Sequence, residues 1–290
     1  MSEYKIALTG VTYRYSPDTP YETRALDNVS VGFESGKITG VIGHTGSGKS
    51  TLIQMLNGLL KPDSGEVTLD GADIWANPKK ISSVRFKVGM VMQYPEYQLF
   101  EETVRKDIAF GPQNMGMNED EVKKAVEDAA AVVGLTEEQL EKSPFDLSGG
   151  QKRRAAIAGI MAMKPEVLVL DEPAAGLDPE GRESILNAVE KYRNETGATV
   201  IIVSHSMEDM ARRCDNIVVM SHSKIILNGK CDEVFTNSEK LTDAGLDIPQ
   251  ITRLMMLLRS KGVDVDSKIY TVDRAEQALL KLFAEREATR

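Results

Sequence analysis

The sequence predicts an α/β fold, and three observations carry that prediction. Val167-Leu168-Val169-Leu170 and Val200-Ile201-Ile202-Val203 are short continuous apolar runs. Such runs mark parallel strands covered on both faces. A third buried strand, Ile38–Ile42, passes directly into a glycine-rich loop and an amphipathic helix. That strand–loop–helix order builds a phosphate cradle.

The remaining elements follow in chain order. Alternating residues at Lys5–Leu8, Val11–Tyr13 and Val29–Val31 predict antiparallel strands in the first forty residues. Leu52, Ile53, Leu56, Leu59 and Leu60 form one helical face, which ends at Lys61-Pro62-Asp63-Ser64-Gly65. Glu66–Leu69 reads as a short strand, and 104–165 as mostly helical. Asn118-Glu119-Asp120-Glu121 starts one of those helices with acids at its positive end. Ile217–Met220 and Lys224–Leu227 flank a tight turn and predict a terminal hairpin. Residues 236–249 read as a linker, followed by one helix through Ile251–Leu258 and another from about Asp273.

Composition narrows the function. The 290 residues hold 35 basic and 44 acidic side chains, for a net charge of -9. That argues against a protein built to neutralise nucleic-acid phosphates, so no nucleic-acid partner is expected. The charge is uneven: 241–290 is neutral, with eight residues of each sign, whereas 118–141 holds eight acids against two lysines. No run reaches the ~20 apolar residues of a bilayer span. The N-terminal segment lacks a signal-peptide pattern. Two cysteines and three scattered histidines offer neither a disulfide framework nor an HExxH-type zinc pair. A reduced cytoplasmic setting is expected, with any membrane role peripheral.

Gly43-His44-Thr45-Gly46-Ser47-Gly48-Lys49-Ser50 matches GxxxxGK[ST]. Glycines let successive N–H groups face one anion, and the helix N-terminus adds positive potential. Lys49 is suited to the β- and γ-phosphates, Ser50 to Mg²⁺ and Thr51 to the α-phosphate. Val167–Leu170 ends in Asp171-Glu172-Pro173. A carboxylate at that strand end belongs beside the phosphate loop, where Asp171 suits the Mg²⁺ shell. Glu172, one residue on, faces differently and is placed to activate a water. Taken alone, the pair would read as solvated strand-end acids; the phosphate loop upstream favours the functional reading.

Leu147-Ser148-Gly149-Gly150-Gln151 opens another helix, with Ser148 as its cap and two glycines exposing N–H groups. One mononucleotide needs one anion site, and this chain has two. With these motifs the chain resembles the ATP-binding subunits of ABC transporters, over about residues 4–235. The resemblance implies the ABC ATPase fold: a P-loop core of mixed sheet with an antiparallel β subdomain, a helical subdomain at about 94–162, and a C-terminal extension. It sets the ATPase domain at 1–238 and the extension, a dimerisation element, at 239–290. It implies that Ser148, Gly149, Gly150, Gln151 and Asp178 act in trans on the ATP of a second subunit. It further implies that Tyr15 stacks on adenine, with Tyr13 the rival; that Gln93 touches Mg²⁺ and senses a membrane partner; and that His205 stands by the γ-phosphate.

Three stretches resemble the energy-coupling factor group of vitamin and metal-ion uptake more closely. They are Gly43–Gly46, Gln93–Val104 and Phe110–Asn114, joined by the extension. His44-Thr45 and the Pro17–Arg24 insertion resemble the second of that group's paired ATPases. Ala174 departs from the family's usual threonine, at a position to which no catalytic role is carried over. The resemblance implies an ATP-hydrolysing motor using ATP and Mg²⁺, peripheral on the cytoplasmic face of the cell membrane. Its implied partners are a second ATPase, a membrane-embedded coupling subunit and a substrate-binding membrane subunit.

The competing readings are a soluble assembly ATPase of iron–sulfur type, another importer class, and a nucleotide scaffold without turnover. Intact Glu172, His205 and LSGGQ oppose the scaffold. Only about 100 residues without sustained heptads separate Lys49 from Leu147, which opposes a chromosome-maintenance type. A single phosphate loop opposes a translation factor.

Overall fold

The computed structural model describes residues 4–288. Its centre is a six-stranded sheet in the order β10-β9-β3-β8-β7-β6. The strands are β3 (Ile38–Gly43), β6 (Val88–Val91), β7 (Val167–Asp171), β8 (Thr199–Val203), β9 (Asn216–Ser221) and β10 (Lys224–Lys230). All pairs are parallel except the β9–β10 hairpin.

The two-residue side-chain period divides this sheet between two cores. Leu168 and Leu170, with Val200 and Ile202, face one core; Val167 and Val169, with Ile201 and Val203, face the other. The second core is closed by an antiparallel sheet of β1 (Tyr4–Tyr15), β2 (Thr23–Glu34), β4 (Ser64–Leu69) and β5 (Ala72–Asp73), in the order β2-β1-β4-β5. Helix α1 (Lys49–Leu56) lies between the sheets and buries Leu52, Ile53, Met55 and Leu56. Helix α2 (Ile81–Lys87) leads into β6.

The first core is closed by helices. Between β6 and β7 run α3 (Val104–Asn114), α4 (Glu119–Val133), α5 (Glu137–Leu140) and α6 (Gly149–Met161). Three reciprocal capping boxes start α4, α5 and α6: Asn118 with Glu121, Thr136 with Gln139, and Ser148 with Gln151. Helices α7 (Pro179–Thr196) and α8 (Met207–Arg213) flank β8.

The linker expected at 236–249 is corrected. Helix α10 (Ser238–Asp243) lies within it, directly after α9 (Cys231–Phe235), and Leu241, Leu246 and Ile248 are buried in the first core. The polar Thr-Asn-Ser run is only the turn between these helices, and the apolar residues, too sparse to show a period, each reach the core. The Tyr270 ring stacks on Phe235 at 5.5 Å and its hydroxyl donates to Asp232, which also accepts from Arg274 at 2.7 Å. Helices α11 (Gln250–Ser260) and α12 (Val272–Ala288) pack around Met255, Val265 and Ala275.

Candidate nucleotide site

Parallel strands in one sheet end at one edge, and that edge gathers the charged motifs. The phosphate loop follows β3, Gln93 follows β6, Asp171 and Glu172 close β7, and His205 follows β8. A cleft of about 400 Å³ there is lined by Tyr15, Thr45, Gly46, Gly48, Lys49, Ser50, Thr51, Gln93, Asp171, Glu172 and His205.

Glycine is required where the loop bends. Gly48 has φ +104°, and a Cβ there would meet the Ala25 carbonyl oxygen at 2.3 Å. Gly46 has φ +79° and open space where a Cβ would stand, so its backbone is bare to the cleft. Lys49 Nζ folds back to donate to the carbonyls of Gly43 at 2.7 Å and His44 at 3.0 Å. Burial lowers its pKa, against Glu172 and Asp171, which raise it. Ser50 Oγ donates to Asp171 at 3.2 Å. Burial raises the Asp171 pKa, opposed by that bond.

Glu172 holds a left-handed backbone, φ 49°, just past the strand end. Its N–H still continues the ladder to Val203 O at 3.0 Å. Its Oε1 is buried without a hydrogen-bond partner, 3.4 Å from His205 Nε2 and poorly aligned to it. Burial, followed by the neighbouring Asp171, pushes its pKa up to about 7. Burial, followed by Lys49, lowers that of His205. A carboxyl group that titrates near neutrality in a cleft is suited to accept a proton from water.

The structure separates the two tyrosines. Tyr15 lines the cleft and its hydroxyl lies 3.2 Å from Thr51 Oγ1, whereas Tyr13 packs against the second core. Gly43, His44 and Ser47 belong to the loop but do not line the cleft. The His44 ring meets His222 edge-on at 5.1 Å, and its Nε2 accepts from the His222 N–H at 3.3 Å. Thr23, Arg24 and Ala25 also line the cleft, and sequence reading missed them. The available signal was pairing: Tyr15 sits opposite Thr23 in the β1–β2 register.

Ser148, Gly149, Gly150 and Asp178 come together elsewhere, in a cleft of about 490 Å³ that shares no lining residue with the first. Ser148 Oγ accepts from Gln151 N–H at 3.3 Å, and Gln151 Oε1 accepts from Ser148 N–H at 2.9 Å. Gln151 itself serves the cap rather than lining the cleft. Buried Arg153 anchors this helix start. It pairs with Glu96 at 2.6 Å, donates to Ala175 O and lies over the Tyr94 ring. A larger cleft, about 820 Å³, holds none of these motifs; its lysines serve structure, as where Lys191 Nζ donates to Ala131 O at 3.2 Å.

The ABC transporter family model matches residues 26–175, from the second strand through the Asp171–Glu172 turn. An energy-coupling factor transporter ATP-binding protein, EcfA2, of Clostridium acetobutylicum is 53% identical over 278 residues, covering 96% of this chain and 97% of the relative. The chain belongs to the energy-coupling factor transporter ATP-binding proteins.

The EcfA2 of Geobacillus kaustophilus is 46% identical, over 97% of this chain and 98% of its own. Among solved structures, cbiO1 from Clostridium perfringens, part of the ABC transporter complex cbiONQ, matches with TM-score 0.75 and 39% identity. It covers 88% of this chain and 100% of its own. The ATP-binding cassette MJ0796, a dimer bound to ADP and Pi, matches with TM-score 0.71 and 28% identity, over 78% of this chain and 98% of its own. As an energy-coupling factor ATPase, this chain is an ATP-hydrolysing motor of an importer of that type. The soluble assembly reading is not favoured. Among the described residues no helix is long and apolar enough to cross a membrane.

Proposed function

We propose that this chain supplies two unlike halves of two composite ATP sites and works only against a second ATPase subunit. One observation carries the reading: the phosphate-loop cleft and the Ser148–Asp178 cleft lie on one chain yet have no lining residue in common. A helix start with bare glycines, away from its own nucleotide cleft, is ready for another subunit's phosphates. The dimeric MJ0796 cassette supports the same pairing.

In the first half, Lys49 leaves the carbonyls of Gly43 and His44 for the phosphates of ATP, and the bare loop N–H groups surround them. The residues also fit a magnesium ion. Ser50 and Asp171 present adjacent oxygens, and Gln93 lines the same cleft. Bound there, Mg²⁺ neutralises phosphate charge. Glu172 takes the proton of the attacking water, and His205 holds the γ-phosphate side. Tyr15 stacks on the base and Thr51 serves the α-phosphate. In trans, Ser148, Gly149 and Gly150 close over the partner's nucleotide, Gln151 holds their cap in shape, and Asp178 joins them.

ATP binding draws two such chains together and product release parts them. The exposed Tyr97 and Phe100 beside Gln93 receive a membrane-embedded coupling subunit, which holds the ATPase peripherally on the cytoplasmic face. A separate membrane subunit selects the vitamin or metal ion. The second ATPase is a related chain, and residues 239–290 present Leu254, Leu257, Leu280 and Phe283 to it.

Glu172→Gln tests this reading. In the complex isolated by a tag on this chain, hydrolysis should fall about 10²–10⁴-fold. ATP binding should persist, and the ATP-bound pair should stay closed in size-exclusion chromatography. In the wild-type complex, kcat/KM should rise with pH through about 7, because Glu172 acts in its ionised form. Full turnover by the Gln variant overturns the assignment.

A further inference from the structure

The strand ends account for Lys49, Gln93, Asp171 and Glu172. They do not account for Arg182, which lines neither cleft. Arg182 sits in the first turn of α7, its N–H bonded to Asp178 O at 2.9 Å. Asp178 caps the helix through Gly181 N–H at 2.7 Å, and Asp178, Glu180, Gly181 and Ser184 all line the Ser148 cleft. The Arg182 side chain reaches the other way. Its Nε donates to Asp209 Oδ2 at 2.6 Å, and its second arm donates to Ser206 Oγ and forms an ion pair with Asp209 at 2.5 Å.

Ser206 directly follows His205. Its Oγ caps α8 by accepting from Asp209 N–H at 3.2 Å, and its own N–H donates to Ser204 Oγ at 3.1 Å. His205 is therefore bracketed by two serines in one hydrogen-bonded turn. A guanidinium fork spanning a hydroxyl and a carboxylate fixes orientation as well as distance, which an ammonium does not.

We propose that Arg182 is a positioning residue that ties His205 in the phosphate-loop cleft to the Asp178 turn of the Ser148 cleft on the same chain. The inference rests on the roles given above to His205 and Asp178, and adds the link between them. One helical turn separates Asp178 from Arg182, so the two move together. When Asp178 engages the partner's nucleotide, the fork carries that position to the 204–206 turn. Each chain then sets its own His205 by the state of the other composite site. Arg182 also lowers the Glu172 pKa, a charge effect that lysine retains.

The test has a structural and a kinetic arm. The chain has three histidines, so their imidazole NMR signals are few and assignable by His→Ala variants. In the full chain, Arg182→Ala should move the His205 signal and leave those of His44 and His222 in place. Arg182→Lys should move it too, because the fork is lost while the charge stays. In the isolated complex, Arg182→Ala should lower kcat about tenfold with KM for ATP within about twofold. Arg182→Ala added to His205→Ala should cost nothing further, and added to Asp178→Ala less than the product of the two losses.

An unmoved His205 signal overturns the proposal, as does a full multiplicative loss in either double variant. Loss of ATP binding together with a lowered melting temperature for both Arg182 variants assigns the residue to folding alone and also overturns it. If His205→Ala keeps full turnover, the catalytic reading of His205 fails instead, and the NMR arm alone decides the link.

Discussion

The two clefts of this chain differ in what they bury. The phosphate-loop cleft holds Lys49 and Asp171 almost wholly out of solvent, with Glu172 beside them and its Oε1 unpartnered. The Ser148 cleft offers glycine backbone at an exposed helix start, and its buried cation, Arg153, is already held by Glu96. Burying charge in advance costs folding energy and holds the Asp171 and Glu172 carboxyls at the strand end, while Lys49 has only to turn from two loop carbonyls. Backbone N–H groups cost little and have little hold on a nucleotide by themselves. This contrast supports the proposed division, in which the first cleft binds and cuts and the second closes over what another chain has bound.

Substitutions can break that contrast in order of expected effect. Lys49→Ala removes the buried cation and should weaken ATP binding about 100-fold, measured by calorimetry on the full chain. ATP binding left intact would mean that the loop backbone alone holds the phosphates. Ser148→Arg should leave ATP affinity within about twofold and abolish turnover, because it fills the half proposed to act in trans. Mixed complexes, with the variant on one subunit only, should lose hydrolysis at the partner's phosphate loop. Loss confined to the variant's own loop would reverse the assignment.

Tyr15→Ala and Tyr13→Ala sharpen the picture on a smaller scale. The first should weaken ATP about tenfold with little change in melting temperature, since aromatic stacking on a base contributes ~1–3 kcal/mol. The second should leave affinity unchanged and lower stability by about 2 kcal/mol, because Tyr13 packs against the core. The reverse pattern would exchange the two tyrosines.

The parts legible in the sequence are those whose signal is local. Continuous apolar runs marked β7 and β8, and the glycine spacing marked the phosphate loop. The Ser148 cap lay in a four-residue pattern, and its bonds are present in the structure. β6 was not legible: it has four residues, and one is Gly89, where a Cβ would meet Ile160 at 2.7 Å. A strand chosen for close approach to a helix lacks the branched side chains that announce one. Thr23 and Arg24 were missed because only the register of β1 with β2 brings them to the cleft. Arg182 was missed because its partners lie 24 and 27 residues away. The linker at 236–249 failed for a related reason: composition shows polarity, and its contribution to the core comes from scattered apolar residues, Leu241, Leu246 and Ile248.

The hairpin turn at His222-Ser223 has a consequence for synthesis. Ser223 N–H donates to Ser47 O at 3.2 Å, and His222 N–H donates to His44 Nε2. β3, which launches the phosphate loop, takes its sheet neighbours from β8 and β9. The nucleotide loop is thus written within the first 51 residues and braced by residues 199–223. A nascent chain leaving the ribosome carries the motif long before it carries the frame. Most of the domain must emerge before the loop is held in the form that accepts phosphate.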